Sequence, residues 1–131
     1  MALFASTLSA CAHARNVVCV PDHIATITMM RDGAVFLNGE ATPIERLSER
    51  LGSLNVLGVW LYRQPALGRS HEAERAYNGV LRAIVDNRVI HTWSTRPDFS
   101  NYVGLDTGTV YPRELACQQP VTRDGYTIYP L

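Results

Sequence analysis

The stretch that decides the fold is Asp32 to Arg50, DGAVFLNGEATPIERLSER. Asp32-Gly33 and Asn38-Gly39 bracket a short apolar run, Ala34 to Leu37, and glycine tolerates the positive φ that primed hairpin turns require. A helix start follows at once. Thr42 is placed as the N-cap, Pro43 as the first helical residue, and Glu45 as the far half of a capping box. Ile44, Leu47 and Leu51 then make one apolar face, Glu45, Arg46, Glu49 and Arg50 face water, and Gly52 is the expected C-cap.

Working outward, His23 to Met30 reads as the partner strand. Ile24, Thr26, Thr28 and Met30 alternate with Ala25, Ile27 and Met29, so both faces are partly apolar and the strand belongs inside a sheet. Val56 to Tyr62 is a continuous apolar strand, and Gln64 to Arg69 is a loop. Ser70 caps a second helix over His71 to Asn87, with Ala73, Ala76, Tyr77, Val80, Leu81, Ile84 and Val85 as its apolar face. Gly79 inside it predicts close helix–sheet packing, at about 1 kcal/mol of helix propensity. Val89 to Ser94 is the last short strand, and Val121 to Tyr129 adds an edge strand to a tail rich in proline and glycine. The order β-β-α-β-α-β predicts an α+β fold, a small mixed sheet with two helices on one face. Residues 1–22 form a truncated lipoprotein signal and tether, 23–95 the domain, and 96–131 a loop-rich extension.

Composition narrows the function classes. At 131 residues the chain buries roughly two-thirds of its unfolded surface as one domain. Its 12 basic and 12 acidic residues cancel and are spread singly, which argues against a nucleic-acid partner. All 12 basic residues are arginine, which excludes Schiff-base chemistry and a Walker phosphate loop. No cofactor motif and no zinc-spaced Cys/His cluster is present, so no metal is expected. No apolar run approaches the ~20 residues that span a bilayer.

Leu8-Ser9-Ala10-Cys11 resembles a lipobox, with Cys11 as the lipidated residue, although the ten residues before it lack a charged start. Either translation begins upstream of Met1, or the likeness is coincidental. With Cys11 acylated, Cys19 and Cys117 remain as a disulfide pair for an oxidising compartment; otherwise they are two unpaired thiols.

The segment His91 to Tyr102 is the densest polar and aromatic patch. A triad of Ser94, His91 and Asp98 fails on geometry, because His91 and Ser94 point to opposite faces of one strand and no nucleophile elbow is present. Asp98 pairs with Arg96 or caps local amides; alternatively Arg96 grips a carboxylate in its fork, with Asp98 and Tyr102 as further ligand contacts. His71, at the second helix's start, reads as a surface residue. Trp60 and Trp93 are expected in the core.

The pattern of strand, Asp32-Gly33, short strand, Asn38-Gly39-Glu40, Pro43, Leu47 and Leu51, followed by Val56–Tyr62 and His71–Asn87, resembles the periplasmic domain of ExbD/TolR biopolymer-transport proteins over residues 23 to 95. That resemblance implies a periplasmic, non-enzymatic cell-envelope domain. It would act through homodimerisation or by binding envelope proteins or cell-wall polymer; the lipid anchor on Cys11 is the expectation of the lipobox-like stretch alone. The family's motor activity needs a transmembrane helix bearing an aspartate and does not transfer to these residues. The competing expectation is a small exported enzyme or ligand-binding protein built on the His91–Tyr102 patch. A third is a cytosolic domain with reduced thiols.

Overall fold

The computed structural model describes residues 17–18, 23–65, 70–104, 108–117, 121–123 and 126–128. Cys11 and Cys19 lie outside these, as do the rest of the expected signal and tether apart from Val17–Val18, and the side chain of Cys117.

The strands are β1 (Val17–Val18), β2 (Ile24–Met29), β3 (Val35–Leu37), β4 (Glu40–Ala41), β5 (Gly58–Arg63), β6 (Ile90–Trp93), β7 (Asn101–Val103), β8 (Val110–Pro112), β9 (Val121–Arg123) and β10 (Tyr126–Ile128). The helices are α1 (Ile44–Leu54) and α2 (His71–Asn87), with a short 3-10 helix at Arg113–Cys117. Five strands form the main sheet in the order β4-β3-β2-β5-β6. β2, β5 and β6 are parallel and β3 and β4 antiparallel, so the fold is α+β with a mixed sheet, and β2 is an inner strand.

Pleating sorts the side chains. Ala25, Ile27 and Met29 of β2 and Val59 and Leu61 of β5 turn to the helices, meeting Leu47 and Leu51 of α1 and Ala76, Val80, Ala83 and Ile84 of α2. Each fully buried large side chain here contributes roughly 1.5–3 kcal/mol. The intervening residues Ile24, Trp60 and Ile90 turn the other way, under Phe99, Tyr102 and Ala116. The segment after β6 therefore roofs the sheet's second face, which explains why Val56–Tyr62 shows no polar alternation.

Several local expectations need correction. Between β2 and β3, Met30 N donates to Ala34 O (2.8 Å) and Gly33 N to Met30 O (3.0 Å), with positive φ only at Gly33 (92°). This turn has three loop residues and is not a primed pair. The primed pair is Asn38-Gly39, where φ is 51° and 81°, and it folds the chain back into β4, a strand the sequence reading left out. That second hairpin also displaces the expected helix cap. Thr42 N still bonds Val35 O (2.8 Å) and its hydroxyl donates to Glu40 O (3.0 Å), so Pro43 occupies the N-cap position without a side-chain cap. At the other end α1 runs past Gly52 to Leu54, and Asn55 (φ 53°, ψ 48°) makes the left-handed cap.

Ser70 caps α2 as expected, accepting from Ala73 N at 3.2 Å. Gly79 marks helix–helix rather than helix–sheet contact, facing Ile44 of α1. Val85 lies off the buried face, 73% exposed. Val121 to Tyr129 is not an edge strand of the main sheet: β9 and β10 pair with each other, and β10 pairs with β1 in a separate three-stranded sheet.

Candidate functional site

The loop after β6 is held by its own polar side chains. Ser94 is buried, and its Oγ sits 2.8 Å from Arg96 O and 3.0 Å from Asn101 Oδ1 while accepting from Arg96 N (3.1 Å). Asn101 is a second clamp, taking Thr95 N at 2.9 Å and giving its amide to Thr95 Oγ1 at 2.7 Å. Thr92, also buried, donates its hydroxyl to Val103 O, tying β6 to β7. A hydroxyl committed in this way is a structural tie, with no base beside it.

Asp98 accepts from Ser100 N at 3.0 Å, which is the local amide cap expected of it. The Ser100 hydroxyl and amide, with Arg96 contributing less, hold its carboxyl below the usual range. Arg96 and Asp98 are exposed, whereas Tyr102 is 2% exposed, its ring 5.1 Å from Trp60 and 5.7 Å from Tyr111. Burial, and then Tyr111, raise the Tyr102 hydroxyl above its ordinary value. Tyr102 thus belongs to the roof of the sheet and offers no surface to a ligand beside Arg96 and Asp98.

His91 and His71 do not join this loop. His91 shares its strand position with Val59, on the helix side of the sheet, opposite to Ser94. His71 lines a groove of about 650 Å³ between α1 and α2, with Glu45, Glu74, Arg75, Arg82 and Asp86. Arg75 crosses that groove to Glu45 at 2.6 Å. Among the described residues, no group of three His, Cys, Asp or Glu side chains could hold a metal, and no helix is long and apolar enough to cross a membrane.

What the sequence reading missed is the open edge of β6. Ser94 N donates to Leu61 O at 2.7 Å. In a parallel ladder such bonds come from alternate residues, so Ile90, Thr92 and Ser94 address β5. The main-chain groups of His91 and Trp93 then point away from the sheet and meet no partner strand among the described residues. Beside this edge the half-buried Trp93 stacks on Tyr77 (6.2 Å, 28°), and Arg63 lies over Tyr77 (4.6 Å) while bonding Glu74 (3.0 Å). The only sequence signal for this edge was that β6 is the last strand before a loop-rich tail.

Comparison of the chain with protein-family models, with curated proteins and with solved structures finds no match.

Proposed function

We propose that this chain is a non-enzymatic cell-envelope domain, of the kind its resemblance to ExbD/TolR periplasmic domains implies, and that it works by association along β6. The observation that carries the reading is the outward row of main-chain groups at His91 and Trp93. An open strand edge is a template for an added strand, with affinity from main-chain hydrogen bonds. The polar loop supports the same reading from the other side, since Ser94, Asn101 and Asp98 spend their bonding capacity on the fold.

The test is crosslinking in the cells of origin, with the chain expressed from its own locus, followed by fractionation. The expected result is adducts in the envelope fraction that His91→Pro removes, because proline deletes only the outward N–H of that strand. A chain found in the cytosol without adducts would sink the reading.

A further inference from the structure

We propose that Phe99, β7, β8 and the 3-10 helix form a hinged cover that lifts as a unit from the second face of the main sheet, while the five strands and two helices beneath stay folded. The inference is independent of the β6 edge.

The cover is bonded to itself. β7 pairs with β8 alone, setting Asn101, Tyr102 and Val103 against Pro112, Tyr111 and Val110. Gly104 N donates to Thr109 O (2.8 Å) at the far end of this hairpin, and Arg113 N to Ser100 O (2.9 Å) at the near end. Its attachments to the main sheet are made by side chains. Phe99, Tyr102 and Ala116 pack with Trp60, the Arg113 guanidinium lies 5.1 Å over the same indole, and the Thr92 hydroxyl reaches Val103 O. No strand ladder has to be unzipped for the two layers to part. The clamp of Asn101 on Ser94 and Thr95 joins residues close in the chain, so it holds through the motion and marks the hinge.

Closing this cover carries two costs. Trp60 is fully buried, and its indole N–H meets no acceptor among the described residues. A buried donor without a partner has lost the hydrogen bond that water gives it, and opening restores that bond. Phe99 is held at φ 56°, a left-handed backbone that a bulky residue adopts only under constraint. Its ring is 7% exposed, so the closed cover is what keeps it there. The other non-glycine residues of positive φ are Asn38, in a hairpin turn, and Asn55 and Arg88, at helix C-caps, where that conformation is ordinary.

Both costs are relieved on opening and oppose the apolar contact that closes the cover. This layer therefore parts before the helix-side core does. The open form presents an apolar sheet face, with Ile24, Trp60 and Ile90, and an indole donor that the closed form withholds. Once lifted, the hairpin also frays, because two isolated strands are marginal in water.

Native-state hydrogen exchange on the purified full chain, read by NMR, tests the inference. The Trp60 indole N–H is the direct reporter, since burial alone protects it. It is expected to exchange in step with the amides of Gly104 and Arg113, at least ~10-fold faster than the ladder amides of β2 and β5 and with a shallower denaturant dependence. Ile27→Val, in the helix-side core, should then speed exchange in β2 and β5 by roughly 2–10-fold while leaving the indole and the cover amides unchanged. An indole that exchanges only at the rate of β2 and β5 overturns the inference. So does a cover whose exchange rises with Ile27→Val, because the chain then opens as one cooperative unit.

Discussion

Gly79 of α2 faces Ile44 of α1 so closely that a Cβ built on Gly79 would collide with Ile44 Cγ1. The two helices approach as closely as they do because one position carries no side chain. Gly79→Ala gains about 1 kcal/mol of helix propensity but forces an overpacked contact costing about 1–3 kcal/mol. The expected net result is destabilisation, read as a lower denaturant midpoint at unchanged slope. Truncating the obstacle with Ile44→Ala in the same chain should recover part of the Gly79→Ala loss, giving non-additivity in a double-mutant cycle.

Gly33 holds a second tight junction. Its φ is 92°, and a Cβ there would meet the Glu72 carbonyl oxygen at 2.8 Å, so the β2–β3 turn is fitted to the start of α2. Gly33→Ala suffers both the disfavoured backbone and the collision, and thermal denaturation should show a loss of about 2 kcal/mol or more.

Asn87 ties the C-terminal end of α2 to the middle of α1, its Nδ2 donating to Ala83 O at 2.8 Å and to Ser48 O at 3.0 Å. Asn87→Ala leaves the Ser48 carbonyl without this partner and should cost about 1–2 kcal/mol. Amide exchange in the last turn of α1 should rise in that variant.

Ser94 should behave as a structural residue. A fluorophosphonate probe, which reports activated serines, is expected to leave the folded chain unlabelled. Ser94→Ala should instead lower stability by about 1–2 kcal/mol, through the loss of its ties to Arg96 and Asn101. Stoichiometric labelling at Ser94 would show that a base reaches it.

Tyr102 sets an alkaline limit. Its pKa is raised by burial and by Tyr111, so the folded state holds the proton more tightly than the unfolded state does. The stability this contributes is complete below the unfolded tyrosine value of about 10 and is lost as pH rises through the higher folded value. Denaturation midpoints should therefore fall above pH ~10, and Tyr102→Phe should flatten that fall. Absorbance at the phenolate band should show one tyrosine ionising late.

The parts of the fold that were legible in the sequence are those fixed by neighbours along the chain. The run of Ala73, Ala76, Val80 and Ile84 at helical spacing behind Ser70 defined α2 to its observed ends, because a cap and an apolar face are local properties. Alternation in Ile24–Met29 likewise marked an inner strand. Thr42 misled because its hydroxyl had two local uses, capping α1 or closing the β4 hairpin, and the ladder bond from Thr42 N to Val35 O decided between them.

The candidate site was less legible, for a physical reason. Local spacing did separate His91 from Ser94, since alternation along one strand is a local rule. It could not show that Phe99, Tyr102, Tyr111 and Ala116 would roof the second face of the sheet and bury Tyr102 against Trp60. Nor could it show which main-chain groups of β6 stay open, because hydrogen-bond direction depends on register with β5. Val85 fitted the apolar period of α2 in sequence and became bare only when the sheet took the neighbouring face. The sequence by itself determined the two helices, the strands β2, β3, β5 and β6 and their order, through short-range sterics and periodicity. Only the tertiary structure decided which strand ends as an edge and which apolar residues are left facing out, because those depend on contacts between residues far apart in the chain.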